Sequence, residues 1–188
     1  NTRLSDDFHG TSGPLVVDDP SEKHPVTQRI IDAAIECGLP ANDDFNGAKQ
    51  DGVGWYQMTA HKGQRQSAAT CFLKPAMGRE NLTVLTQLDV HKLQIENRRA
   101  TGVEAFDPSG APVLMTARRE IILCAGSFQS PKLLMLSGSG PKAHLQQHGV
   151  TVVHDSPEVG ANYQDHVGAP LTARLSSNIG LHGSDKGL

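Results

Sequence analysis

The residue pattern best suited to chemistry is a glycine turn at Ala125-Gly126, which follows the apolar run 121–124. Gly126 has no Cβ, so the backbone at this turn can approach a bound molecule closely. A helix is predicted next, with Ser130 as its N-cap and Pro131 as its first residue. A buried strand, a glycine turn and a helix in this order suit the binding of a cofactor.

Three other patterns have chemical interpretations that the sequence does not favour. His144 and His148 are spaced to share one face of a predicted helix, but no glutamate lies between them and no third metal ligand is evident. The segment 137–140 follows a helix, whereas the nucleophile elbow of a serine hydrolase follows a strand. The acidic pairs 18–19 and 43–44 lie in loops and are typical of solvated turns. We therefore assign no metal site and no catalytic residue.

These patterns are positioned by the elements of a predicted α/β fold of mixed α+β character. The clearest helix begins at Pro25 and ends at Gly38. The continuous apolar run 121–124 is typical of a strand covered on both faces of a parallel or mixed sheet. Two further helices are predicted at 131–137 and 141–148. Strands are predicted at 15–17, 55–60, 82–86, 88–96, 102–106, 113–117 and 150–153, and a short helical stretch at 67–73.

Composition excludes several classes of partner. The formal net charge of -3 provides no basic surface for a nucleic acid. No apolar stretch approaches the roughly 20 residues that cross a bilayer, so no transmembrane segment is predicted. Cys37, Cys71 and Cys124 are odd in number and far apart, which favours buried reduced thiols over disulfides. A cytoplasmic location is therefore predicted.

Several segments together resemble the glucose-methanol-choline (GMC) family of flavin-dependent alcohol oxidoreductases, in the order and spacing typical of that family. The resemblance covers roughly residues 10 to 170, and the chain departs from the family pattern at Ser139, where an aliphatic residue is usual, and at Tyr163, where leucine is usual. The similar segments are 52–59, 63–67, 72–75, 79–84, 100–104, 126–140 and 159–166.

The resemblance implies the central part of an FAD-dependent enzyme. In the family, a Rossmann-type FAD-binding domain is interleaved with a substrate domain whose antiparallel sheet covers the flavin ring. Residues 1–62 are then expected to be part of the substrate domain and residues 63–165 part of the FAD-binding domain. Residues 166–188 would return into the substrate domain, with a tail from 176 that we expect to be poorly ordered.

The resemblance also implies where FAD would bind. Val90 occupies the place of a valine whose backbone meets the adenine, a contact that a strand can make without a special side chain. Ala125, Gly126 and Ser127 would lie where the strand ends close to the phosphate and the ribityl chain. His166 is interpreted first as a structural residue at the crossing between domains, and second as part of the active-site lining.

Two parts of the family's machinery have no counterpart in this sequence. A Gly-x-Gly-x-x-Gly turn, which binds the pyrophosphate at a helix N-terminus, is missing. None of the 9 histidines can be assigned as the base that accepts the substrate's hydroxyl proton while hydride moves to the flavin. We therefore expect a fragment, inactive alone, of a parent that oxidises a primary alcohol and whose electron acceptor is not indicated. The alternative is a truncated or degenerate domain that binds a ligand or partner without catalysis.

The position two residues after His166 bears on the substrate. In choline-oxidising relatives a glutamate there faces the trimethylammonium group, because a desolvated cation needs a nearby carboxylate or aromatic face. Gly168 occupies this position here. The resemblance therefore implies substrate binding at Gly168 and a parent enzyme that prefers a neutral alcohol to choline.

Overall fold

The structure, a computed structural model, describes residues 1–170 together with residues 172, 176 and 179. It forms an N-terminal unit, Asn1–Thr83, and a C-terminal unit, Val84–Pro170. The assignment of residues 1–62, 63–165 and 166–188 to substrate and FAD-binding domains stays a prediction. Apart from residues 176 and 179, the tail that we expect to be poorly ordered lies outside the described residues.

The N-terminal unit contains one long helix and short elements. Helix α1 is Pro25–Glu36, and the chain leaves it through Gly38, whose φ of 95° is easy for glycine. The two-residue strands β1 (Ala60–His61) and β2 (Gln64–Arg65) pair antiparallel. A π-helix, Ala69–Leu73, and helix α2, Lys74–Ala76, follow them, so the predicted helical stretch at 67–73 is confirmed.

Polar contacts hold the start of the N-terminal unit in place. The Arg3 guanidinium lies 3.2 Å from a carboxylate oxygen of Asp19 and 3.3 Å from one of Asp43. The buried His9 ring has Nδ1 2.8 Å from Asp6 Oδ1 and Nε2 3.3 Å from Asp44 Oδ1. These polar contacts connect the first residues of the unit to the loop that contains Asp43 and Asp44.

An antiparallel meander opens the C-terminal unit, as predicted. Strands β3 (Asp89–Glu96), β4 (Arg99–Phe106) and β5 (Pro112–Thr116) pair in that order, so β3 is an edge strand. Residues 97 and 98 join β3 to β4 with φ values of 48° and 64°, as a two-residue type I′ hairpin requires. The Asp107 carboxylate organises the second hairpin by accepting hydrogen bonds from the Ser109 hydroxyl and from backbone amides.

One helix packs on this sheet, and the remaining elements of the C-terminal unit follow it. Helix α3 (Gly126–Leu136) contacts β3 and leads into strand β6 (Ser139–Gly140). Helix α4 (Lys142–Gln147) follows, and strand β7 (His154–Asp155) pairs parallel with β6. The buried apolar side chains of this unit are those of Leu93, Ala105, Leu133 and Leu145. The predicted mixed fold with antiparallel strands is confirmed.

The start of α3 corrects one prediction. The helix begins at Gly126 with Ala125 as its N-cap, and Pro131 lies inside it. Ser130 does not cap the helix in the predicted way, because its hydroxyl oxygen accepts a hydrogen bond from the Ala125 amide at 3.1 Å. Pro131 is the sixth residue of the helix, so its missing amide removes the hydrogen bond that would otherwise reach the Ser127 carbonyl.

Several predicted strands are not formed within the described residues. The runs 82–86, 121–124 and 150–153 are irregular, and the short strand β7 begins one residue after the last of them. In place of strands at 15–17 and 55–60, the structure has an isolated β-bridge between Asp18 and Met58 and the short strand β1, which begins at residue 60. A strand needs a hydrogen-bonding neighbour, and an apolar pattern alone does not provide one.

The cysteines correct a second prediction. Cys71 is buried, but Cys37 and Cys124 are exposed, and all three are free thiols. Cys37 lies at the exposed end of α1, and Cys124 is the last residue of the run 121–124, which pairs with no strand within the described residues. The cytoplasmic location stays a prediction. Among the residues that the structure describes, no helix combines the length and the apolarity that crossing a bilayer requires.

Candidate cofactor-binding site

The start of α3 has free backbone donors. Gly126 has a φ of 85°, and a Cβ built on it would meet no atom of the chain within 4 Å. No side chain caps the helix at Ala125, and the first amides of a helix have no intrahelical acceptor. Ala125, Gly126 and Ser127 are all exposed, although the Ala125 amide already donates to the Ser130 hydroxyl. Exposed amides at the positive end of a helix are suited to binding a phosphate group, so this turn fits part of a dinucleotide cofactor.

Val90 lies near the start of the edge strand β3. Its side chain is 38% exposed, so it is not a plain core valine, the simpler interpretation that the sequence allowed. The register between β3 and β4 shifts between Val90 and Lys92, which leaves His91 without a partner residue. Such a bulge bends a strand locally and changes the direction of its neighbours. The strand backbone at Val90 is thus placed at an irregular, accessible sheet edge.

A buried serine fixes α3 against β3. The Ser137 hydroxyl accepts a hydrogen bond from the Leu93 amide at 2.8 Å and donates one to the Leu133 carbonyl at 2.5 Å. Ser137 is 8% exposed. The bond joins the two elements that carry Val90 and Gly126. No pattern in the sequence indicates this role, because a serine at the end of a helix is common and its partner is 44 residues away.

The segment that leads to Gly168 packs on the same helix. A Cβ on Gly160 would lie 3.3 Å from Met135 Cε, so the backbone passes close to α3. The Tyr163 ring stacks on Phe128 of the first helical turn, with centroids 5.0 Å apart. Sequence reasoning noted Tyr163 as a departure from the family pattern but did not connect it to Phe128, which lies 35 residues earlier.

All five residues predicted to bind cofactor or substrate lie in the C-terminal unit. Their contacts form two groups. Ala125, Gly126 and Ser127 lie at the start of α3, whose Phe128 stacks on Tyr163 in the segment that leads to Gly168. Val90 is connected to α3 through the hydrogen bond from the Leu93 amide to the Ser137 hydroxyl. Gly168 is exposed, and a Cβ there would meet no atom within 4 Å. The roles of these five residues stay predictions.

A groove of about 520 Å³ occupies another face of the C-terminal unit. Apolar residues of the β3–β4 hairpin, of the run 121–123 and of α3 line most of it, with Arg98 and His154 as the charged or titratable members. None of the five predicted site residues lines it. A pyrophosphate needs several converging amide donors, so we do not assign the cofactor to this groove.

Other histidines have defined geometry outside the predicted site. The exposed rings of His144 and His148 lie edge to face, with centroids 4.7 Å apart. In the N-terminal unit, His61 Nδ1 lies 3.1 Å from Asp18 Oδ2, and the Thr2 hydroxyl donates to Asp18 Oδ1 at 2.6 Å. These bonds lower the pKa of Asp18, the one from Thr2 contributing most. Sequence reasoning missed this cluster and interpreted Asp18 as a solvated turn residue.

Comparison with known proteins decides the family. The GMC oxidoreductase family profile matches residues 2–168. The chain belongs to the GMC oxidoreductase family. The predicted membership is therefore confirmed, and with it the assignment to a family of FAD-dependent flavoproteins.

Individual GMC proteins agree in sequence and in fold. An alcohol dehydrogenase [acceptor] from Pseudomonas putida is 42% identical over 90% of the chain and 31% of its own length. An oxygen-dependent choline dehydrogenase from Sinorhizobium medicae is 46% identical over 85% of the chain and 29% of its own length. The crystal structure of pyridoxine 4-oxidase from Mesorbium loti matches with a TM-score of 0.74 at 36% identity, over 80% of this chain and 30% of that chain. An FAD-dependent oxidoreductase from Chaetomium thermophilum matches with a TM-score of 0.73 at 31% identity, over 79% of this chain and 26% of that chain. The chain thus spans about a third of the length of the curated relatives it matches.

Proposed function

We propose that this chain is the central part of an FAD-dependent oxidoreductase that oxidises the CH–OH group of a primary alcohol. The observation that carries the proposal is the exposed, uncapped start of α3 directly after the Gly126 turn, in a chain of the GMC family. When bound, FAD supplies the redox chemistry by accepting hydride from the alcohol carbon.

The residues of this chain would bind and orient the cofactor. The amides of Gly126 and Ser127 would donate to oxygens of the phosphate and ribityl groups, and glycine at 126 keeps that approach open. The backbone of Val90 would contact the adenine. The Ser137 bridge between α3 and β3 would fix these two contacts relative to each other. The proton acceptor and the pyrophosphate-binding glycine turn would be supplied by other parts of the parent protein.

The experiment is the visible absorption spectrum of the purified full-length parent, followed by anaerobic addition of candidate alcohols. We expect an oxidised flavin band that bleaches when the substrate alcohol is added. The 188-residue chain alone is expected to show no turnover. A full-length protein that carries no flavin after reconstitution with FAD, or whose flavin no alcohol bleaches, would contradict the proposal.

We further propose that the parent prefers a neutral alcohol to choline. Gly168 presents neither a carboxylate nor an aromatic face to a trimethylammonium group. We expect kcat/KM for aliphatic or aromatic alcohols to exceed that for choline, and Gly168→Glu to raise the relative rate with choline. Higher rates on choline in the unaltered enzyme would disprove this preference, although a choline dehydrogenase is among the similar proteins.

The alternative function is a non-catalytic domain that binds a ligand or partner. It would apply if the coding DNA on either side of this segment encodes neither a Gly-x-Gly-x-x-Gly turn nor a catalytic histidine. Sequencing the coding DNA on both sides separates the two proposals. A glycine-rich turn upstream and a histidine downstream in the same reading frame would support the enzyme, and their absence from an intact reading frame would support the binding domain.

A further inference from the structure

An aromatic stack joins the segment of the predicted cofactor turn to the segment of the predicted substrate position. Phe128 lies two residues after Gly126, and Tyr163 lies five residues before Gly168. The ring centroids of Phe128 and Tyr163 are 5.0 Å apart and the ring planes are tilted by 30°, a geometry in the favourable range for aromatic pairs. The stack is therefore a direct side-chain link between the two halves of the candidate site.

Local contacts limit the freedom of the segment that carries Tyr163. The Tyr163 hydroxyl donates to one oxygen of Asp165 at 3.0 Å, and the His166 amide donates to the other oxygen at 2.8 Å. Asn162 has a φ of 55° and its side chain donates to Glu158 at 3.2 Å. The Asp165 carboxylate thus links the Tyr163 ring to the backbone at His166, two residues before Gly168.

The stack contributes little to the core of the C-terminal unit. Phe128 is 69% exposed and Tyr163 is 53% exposed, whereas Leu133 and Leu145 beneath α3 are buried. Replacing either ring with leucine keeps the buried side chains of that core and removes the aromatic contact between α3 and the segment 160–168. A leucine at 163, the residue usual in the family, has no aromatic face to stack on Phe128.

We propose that Tyr163 is a positioning residue, which holds the segment 164–168 beside the first turn of α3 by stacking on Phe128. The residue at 168 then keeps a fixed place relative to a cofactor bound at Gly126. This inference rests on the proposed function, because it needs a bound flavin and an alcohol that approaches it. Loss of the stack weakens the affinity for the alcohol more than the affinity for the flavin.

The test is anaerobic stopped-flow reduction of the flavin in the full-length enzyme, with the alcohol that bleaches the unaltered protein. We expect Tyr163→Leu and Phe128→Leu each to raise the apparent Kd of the alcohol about two- to tenfold, the range that one aromatic pair supports. The double variant should show no further increase, because both substitutions break the same contact. Tyr163→Phe keeps the stack but loses the hydrogen bond from the hydroxyl to Asp165, so it should raise the Kd less than Tyr163→Leu does.

A matched control comes from helix α4 of the same unit. The exposed rings of His144 and His148 lie edge to face with centroids 4.7 Å apart, and neither residue is among those predicted to bind cofactor or substrate. His148→Leu therefore removes a contact between exposed aromatic rings without altering the Phe128–Tyr163 stack. We expect its apparent Kd for the alcohol to be unchanged.

Four results would overturn the inference. They are an unchanged Kd in Tyr163→Leu, additive losses in the double variant, an equal loss in Tyr163→Phe, and an equal loss in the His148→Leu control. If Tyr163→Leu fails to fold, Phe128→Leu tests the stack from the helix side, and failure of both to fold would show a structural role instead. An unaltered enzyme without reducible flavin contradicts the proposed function, whereas unaltered reduction with insensitive variants contradicts this inference alone.

Discussion

Substituting Gly126 with alanine tests whether the turn before α3 contacts the cofactor. The φ of 85° at Gly126 is in the left-handed region, which costs a residue with a Cβ about 1–2 kcal/mol. Alanine also restricts the unfolded chain, which returns about 0.4–1 kcal/mol of stability. Because a Cβ here meets no atom of the chain within 4 Å, no clash within the protein adds to this cost. We expect a net loss of roughly 1 kcal/mol in the free energy of unfolding.

The effect on FAD binding should be larger than the effect on stability. If a phosphate or ribityl group packs against the Gly126 backbone, the added methyl group overfills that contact. Overpacking of a close contact costs about 1–3 kcal/mol, which corresponds to about a 5- to 150-fold increase in the Kd for FAD. The measurement is titration of the deflavinated full-length protein with FAD, followed by the absorbance and fluorescence of the bound flavin.

Gly149→Ala supplies the matched control for this experiment. Gly149 follows α4 with a φ of 69°, and a Cβ there also meets no atom within 4 Å. Its backbone penalty should be similar, but we assign it no contact with the cofactor. The expected result is a similar small loss of stability in both variants, with weaker FAD binding in Gly126→Ala alone. Equal FAD affinities in the two variants would refute the placement of the cofactor at Gly126.

Three further substitutions or titrations test the structure around this site. Ser137→Ala leaves the Leu93 amide buried without its acceptor, and chemical denaturation should show a loss of about 1–3 kcal/mol. No loss would contradict the bridge between α3 and β3. Gly138→Ala combines a φ of 84° with a collision between its Cβ and the Thr151 carbonyl oxygen, and should cost about 2–4 kcal/mol by the same measurement; a neutral variant would contradict the close approach. Hydrogen bonds from the Ser109 hydroxyl and nearby amides lower the pKa of Asp107 below its ordinary value of 3.8. The stability that this carboxylate adds to the hairpin is therefore fully present above that value and is lost as the pH falls through the lower folded-state pKa. NMR titration of Asp107 in the folded protein should show this, and an unshifted midpoint would count against it.

Local patterns predicted the elements whose contacts are close in sequence. The limits of α1 follow from Pro25 at its start and Gly38 at its end, and the β3–β4–β5 meander follows from short turns between β-rich segments. Each of these features depends on residues within one or two turns of the chain. Pattern-based reasoning is strong in this range, because capping and turn chemistry are local.

Contacts between distant residues were not predictable in the same way. The Ser137 bond to the Leu93 amide joins residues 44 positions apart, and the Phe128–Tyr163 stack joins residues on a helix and an irregular segment. A serine or an aromatic residue has many possible partners, and the sequence does not select one of them. The start of α3 was misplaced for a local reason, since the favourable Ser130-Pro131 pair resembles a helix start but lies within the first turns.

The apolar run 121–124 shows that an apolar pattern does not by itself specify a strand. Its residues are apolar at every position, as in a strand covered on both faces, yet Ile122 is 76% exposed and the run forms no strand. Such a run of apolar side chains indicates that both faces of the segment are shielded from water in the protein in which the sequence evolved. Strand formation additionally needs backbone partners, which a run of side chains does not specify. Since the curated relatives are about three times as long as the segment they share with this chain, we propose that those partners lie in the rest of the parent protein. Protection of the amides of 121–124 from hydrogen exchange in the full-length enzyme, compared with the 188-residue chain, would test this, and equal fast exchange in both would refute it.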